Sequence, residues 1–333
     1  RALESKEPRF RNTAIGLLPL VPTDQLTSVR LGMSTRTQAL FIHELGRRGA
    51  SDVQDMLILA LGNDDEAVRL ASIQALGQVG GTESVQVLAA TALTNPAAFD
   101  ALCRLNAEGI DETIIQTLEN SEDDKLQVKL IECLAARQAK TALPCFTGLA
   151  SNDWSRTSAA AISGLANVVS EDDFQTYADL LLGTENKKKI QALEKSIAIG
   201  AQRLPDADAC ALPLISAYGK AKGEVQYAII RALGSIGGDA AKSMLSVSME
   251  SPDPQIRDAA IRGLCNWPNT EVQEQLLELA ENADTEKHKV LALRGYIRLA
   301  NTYSDEKDAL PMCKKAAALT DRPEELRSII ACA

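Results

Sequence analysis

Two histidines, His43 and His288, are the chain's whole supply of imidazole. His43-Glu44 is its one adjacent His-Glu pair, and His288 is followed by Lys289. A di-metal centre built on several histidines needs more than this, so His43 reads as a structural or surface residue and no metal site is expected. The seven cysteines are Cys103, Cys133, Cys145, Cys210, Cys265, Cys313 and Cys332. Their number is odd and no two form a CxxC pair, which argues against a disulfide framework and against a zinc ribbon. They read as small core residues, with pairing in space left open. Three acidic pairs, Asp64-Asp65, Asp123-Asp124 and Asp172-Asp173, could in principle share acid–base work. They recur at helix starts, where a carboxylate complements the free N–H groups, so capping is the expectation. No G-x-S-x-G, P-loop or H-E-x-x-H motif occurs, and neither a catalytic residue nor a cofactor is expected. The run Lys187-Lys188-Lys189 opens a helix, against the helix dipole. It reads as a solvated end, with contact to an anion or acidic partner as the alternative.

The remaining chemistry is recognition. Glutamine follows an apolar anchor at Gln54, Gln86, Gln116, Gln175 and Gln273. A carboxamide donates and accepts, so a stripe of them suits a polypeptide or a glycan. These five are the candidate binding residues, with an ordinary solvated helix face as the bland alternative.

What positions them is a repeat. Val68-Arg69-Leu70-Ala71-Ser72-Ile73-Gln74-Ala75-Leu76-Gly77 recurs as Val225 to Gly234 and again as Ile256 to Cys265. The place of Gly77 can be followed through Gly16, Gly46, Asn106, Ala135, Ala166, Ala198, Gly234, Cys265 and Ile297, a period near 31. Each unit reads as two amphipathic helices. Ser51 to Gln54 and Thr270 to Gln273 fit capping boxes, Asp253-Pro254 and Arg322-Pro323 fit helix starts, and Asn95-Pro96 and Gly237-Gly238 fit stops. Short helix pairs cannot bury an apolar face alone, so stacking is required.

Composition agrees. The chain has 333 residues, 49 of them Ala and 43 Leu, with only 2 Trp, 5 Tyr and 5 Phe. A β-sandwich or barrel would use more aromatic and β-branched residues, and a disordered acidic chain fewer apolar ones. The formal net charge is −10, which argues against a general nucleic-acid binder. No apolar run reaches the roughly 18 residues a membrane span needs.

The V-R-x-x-A-x-x-A-L-G first helix resembles HEAT repeats, in the short subtype associated with phycobilisome lyases. The resemblance implies an all-α, right-handed α-α superhelix of about ten helix pairs, one continuous array over residues 1–333. It also implies second helices lining a concave binding face, and it makes Arg69 and Arg257 members of an inter-repeat ladder with loop aspartates. The function expected is a non-catalytic scaffold that binds a protein or peptide, one with a basic surface, on that face. The alternatives are a lyase-related or cofactor-handling protein, and an accessory array beside a sugar-processing domain. The stretch Leu291 to Ala300 resembles segments of exported bacterial proteins. On that ground the chain is expected to be one domain of a longer exported or periplasmic protein, with the cytoplasm as the alternative.

Overall fold

The computed structural model describes residues 2–21, 33–49, 53–303 and 306–331. Ser51, Asp52 and Cys332 lie outside the described residues, and with Ser51 and Asp52 goes the first expected capping box. Among the described residues the regular structure is helical, with no strand. Backbone packing divides the chain into two compact units, residues 1–146 and 147–333, each described by itself.

The first unit opens with α1 (Pro8–Leu17). First helices α2 (Thr35–Arg47), α4 (Glu66–Val79), α6 (Pro96–Arg104) and α8 (Asp124–Ala136) then alternate with second helices α3 (Gln54–Ala60), α5 (Glu83–Ala92) and α7 (Ile110–Glu119). The boundary between the units falls within α9 (Leu143–Ser151). In the second unit the first helices are α10 (Arg156–Val168), α12 (Lys187–Ala201), α14 (Glu224–Ile236), α16 (Pro254–Cys265) and α18 (Glu286–Tyr303). Their partners are α11 (Phe174–Leu182), α13 (Ala207–Tyr218), α15 (Gly238–Met249), α17 (Gln273–Asn282) and α19 (Glu306–Ala317), and α20 (Pro323–Ile330) closes the series. First helices pack on first helices, α2–α4–α6–α8 and α10–α12–α14–α16–α18–α20. Second helices pack on second helices, α3–α5–α7 and α11–α13–α15.

Small residues set the spacing of the first-helix layer. A Cβ on Gly46 would lie 2.7 Å from Ala75 Cα, and one on Gly234 only 2.2 Å from the Gly263 carbonyl. The helices touch backbone to backbone there, which the Ala and Gly content of the sequence permits. The same contact corrects the repeat register. A Cβ on Gly77 would meet Ala101 Cα at 2.9 Å, so Ala101 takes the place of Ala75 and Cys103, not Asn106, the place of Gly77. α6 ends at Arg104, and Asn106 lies in the loop beyond it.

Side chains close the helix ends, as the acidic pairs led one to expect. Asp65 caps α4 by accepting from Ala67 N, and Asp123 caps α8 by accepting from Lys125 N and Leu126 N. Asp173 pairs reciprocally with Ser170 in a capping box. Two start and stop assignments change. Asn95-Pro96 starts α6, with Asn95 Oδ1 accepting from Ala97 N. The helical turn at Thr270–Val272 is capped by Asn269, not by a Thr270–Gln273 box. Proline has no N–H to lose at a first turn, which is why N-P serves as a start.

The arginines also differ from expectation. Arg69 donates to the carbonyls of Asn63 and Asp64, and Arg257 to that of Ser251, each tying down its own incoming loop instead of reaching a neighbouring aspartate. The inter-repeat arginines stand in or just beyond the C-terminal part of the first helices. Arg137 donates to the carbonyls of Cys103 and Leu105, Arg203 to Ala166, and Arg298 to Cys265 and Trp267. Each guanidinium satisfies carbonyls that the preceding first helix leaves without intrahelical partners.

Candidate interaction surface

Charge is sorted between the two layers. Across the second helices α3 to α17 the acidic residues are Asp55, Glu83, Asp111, Glu112, Glu119, Asp179, Asp208, Asp239, Glu274, Glu278 and Glu281. Their one basic residue is Lys242. The first helices α2 to α18 hold the opposite balance, with α12 alone carrying Lys187, Lys188, Lys189 and Lys195 against Glu194. α19 departs from the rule with Lys307, Lys314 and Lys315. Most second-helix carboxylates are exposed, and Asp111 is held by Arg137 at 2.5 Å.

Large apolar side chains also reach solvent from this layer. Leu59 on α3 is 73% exposed, Leu212 on α13 54% and Val247 on α15 71%. The inward faces of α13 and α15 are fixed by Leu214 and Leu245, both fully buried. Leu212 and Val247 stand two residues to either side of those anchors, about 200° round the helix from the core.

The five glutamines do not form one free stripe. Gln54 is half-buried in a clip between repeats, accepting from Gly81 N and donating to Glu83 Oε2. Gln175 is exposed and donates to Asp179 on its own helix at 2.8 Å. Gln273, the first residue of α17, is half-buried. Gln86 on α5 and Gln116 on α7 face solvent from neighbouring second helices of the first unit. The glutamine pattern therefore mixes packing and surface positions. The charge sorting was legible in the same sequence once helices are separated into first and second.

The basic run is structural at one of its three positions. Lys189 is buried, and its Nζ donates to the carbonyls of Ser151 and Asn152 at 3.1 and 3.0 Å. Burial lowers its pKa. Lys187 and Lys188 are exposed, while the Asn186 side chain caps the helix.

The first-helix layer is cross-linked by ion pairs. Arg231 on α14 contacts Glu194 on α12 at 2.6 Å and Glu224 at 2.7 Å. Asp258 on α16 receives Arg262, Lys287 and His288 at 2.7, 2.7 and 3.0 Å. Burial pushes the Asp258 carboxyl up, but hydrogen bonds from Lys287, Arg262 and His288 outweigh it and hold it well below the usual range. Glu224, Arg231, Asp258, Lys287 and His288 line a recess of about 600 Å³, and the charged groups there are paired with one another or with Glu194 and Arg262. His288 thus serves an ion-pair network, and His43 lies exposed on α2. No group of three or more His, Cys, Asp or Glu able to hold a metal occurs among the described residues, and none of their helices is long and apolar enough to cross a membrane.

Alternating first and second helices, each layer packed on itself, define an all-α helical-repeat protein. Residues 23–102 match the family model described as HEAT repeats. The curated proteins contain no match. Among solved structures, an engineered protein is 17% identical with a TM-score of 0.34, covering 100% of this chain and 96% of its own. A chain of the Kap95p–RanGDP structure is 14% identical with a TM-score of 0.46. That match covers 100% of this chain and 53% of the other, so this chain spans about half its length. The CpcE–CpcF phycocyanin lyase complex of Nostoc sp. PCC7120 is 18% identical with a TM-score of 0.34, covering 80% of this chain and 94% of that one.

Proposed function

We propose that the chain is a non-catalytic scaffold and that the second helices of its second unit, α11 to α17, receive a basic, partly apolar polypeptide. The observation that carries this reading is the sorting of charge, with acidic residues on α3 to α17 relieved only by Lys242. A surface of one sign attracts the opposite sign over about a Debye length, roughly 8–10 Å at moderate salt. Exposed Leu212 and Val247 supply apolar anchors on helices of the layer that carries those carboxylates. Complementary charge sets the rate and specificity of encounter, and the anchors set residence.

The test is selection of peptides from a random library on the native chain. Selected peptides are expected to be rich in Lys and Arg with interspersed apolar residues. Their binding weakens about tenfold or more between low and moderate salt, and it is lost in the variant Asp179→Lys with Glu278→Lys. Peptides without basic bias, or binding indifferent to those reversals, would overturn the reading.

A further inference from the structure

Successive first helices meet at one repeating place, and what stands there differs along the chain. Gly46 meets Ala75 and Gly234 meets Gly263, while Gly295, given a Cβ, would lie 3.0 Å from Cys265 Cα. α6 and α8 are also in contact. Two independent contacts give their register. Gly77 sits on Ala101, which sets Cys103 in the place of Gly77. Arg137 donates to the carbonyls of Cys103 and Leu105, as Arg298 does to those of Cys265 and Trp267, which sets Cys103 in the place of Cys265. Opposite Cys265 stands Gly295, two residues before Ile297, and in α8 the same place, two before Ala135, is Cys133. The repeat count therefore sets Cys103 and Cys133 opposite each other across the contact of α6 with α8. Their side chains are hydrogen-bonded to each other. Cys133 is fully buried and Cys103 half-buried.

We propose that Cys103 and Cys133 form an oxidisable dithiol, a covalent modification site at which a small-molecule disulfide converts the pair into a disulfide between repeats. The two cysteines are inequivalent. The hydrogen bond from Cys133 lowers the Cys103 pKa against the opposing effect of its burial, with the Arg137 and Arg104 guanidiniums assisting and Asp100 opposing. The same hydrogen bond, with burial, raises that of Cys133, which also faces Arg137 and Asp111. Cys103 is thus the attacking sulfur, since the thiolate is the nucleophile. It loses its proton to water, attacks one sulfur of the reagent and breaks its S–S bond, and one thiolate leaves. Cys133 then gives up its proton and attacks the Cys103 sulfur, expelling the second thiolate. Both cysteines are oxidised and one reagent disulfide is reduced to two thiols, which take up the two protons. Burial pushes Cys145, Cys210 and Cys265 the other way, up to about 11, 12 and 12, so these are poorer nucleophiles.

The probe is glutathione disulfide, applied to the native chain while circular dichroism reports an intact fold. Free thiols are expected to fall from seven to five. Trypsin should release residues 70–104 joined to residues 130–137 as the principal cross-linked pair. Cys133→Ala, which installs the residue found at Ala75, is expected to retain glutathione as a stable mixed disulfide on Cys103. Cys103→Ala, matching Ala166, is expected to take up none at Cys133. A parent chain that keeps all seven thiols, or cross-links other cysteines in preference, would overturn the proposal without recourse to any variant. A mixed disulfide on Cys133 in Cys103→Ala would overturn the assigned order of attack.

Discussion

Gly234→Ala adds one carbon to each molecule, and the fold says where it lands. The new Cβ would lie 2.2 Å from the Gly263 carbonyl carbon and oxygen and 2.3 Å from its Cα. Carbon pairs settle at about 3.5–4.0 Å, so α14 and α16 must part by on the order of 1 Å. The obstacle is backbone and cannot rotate away. Overpacking costs roughly 1–3 kcal/mol, and a backbone clash belongs at the upper end, about 3. Alanine returns about 1 kcal/mol of helix propensity over glycine, leaving a net loss of about 2 kcal/mol. Gly148 is the control. It is exposed on α9 with nothing within 4 Å of a new Cβ, so Gly148→Ala should stabilise by about 1 kcal/mol. Two chemically identical changes should thus differ by about 3 kcal/mol. At roughly 2–4 °C per kcal/mol for a domain of this size, that is on the order of 6–12 °C in midpoint. Thermal and urea unfolding followed by circular dichroism measures it. Trp267 fluorescence reports locally, because that indole is fully buried and bonded to Asn269 at 2.9 Å. If Gly234→Ala is as stable as the parent, the backbone contact between first helices is wrong.

Two further perturbations test the ends of the helices. Glu44 is buried between Arg47 and Arg48, each at 2.8 Å, and the Arg47 hydrogen bond, helped by that of Arg48 and opposed by burial, holds its pKa at about 2. A carboxyl depressed on folding stabilises above its unfolded value of 4.5, and this stability fades as pH falls toward about 2. Acid titration of unfolding should show that loss in the parent, and Glu44→Gln should flatten it. Lys189→Met keeps the stem and removes the ammonium from the carbonyls of Ser151 and Asn152. It should cost about 1–3 kcal/mol in urea melts, whereas Lys188→Met, exposed on the same turn, should cost almost nothing.

Much of the architecture was legible because repetition writes packing into sequence. Val68 to Gly77 identified a first helix three times over, and the Asp65 and Asp123 caps follow from local hydrogen bonding alone. Register failed at Asn106 because α6 is short and its loop shifts the count, and only the contact of Gly77 with Ala101 restores it. Asn95-Pro96 deceived as a stop because N-P ends one helix region and begins another within two residues. The Cys103–Cys133 pairing was invisible along the chain, since it depends on that corrected register. Lys189 was hidden for a different reason. A lysine reads as solvent-facing, and only the fold reveals two carbonyls waiting for its ammonium.

Hydroxyl-radical footprinting of the native chain, with and without a library-selected basic peptide, tests the proposed binding layer most directly. Protection of Leu212 and Val247 on α13 and α15 is expected, with Tyr227 and Ile199 on α14 and α12 unchanged. Protection of Tyr227 and Ile199, with Leu212 and Val247 as reactive as before, would contradict it.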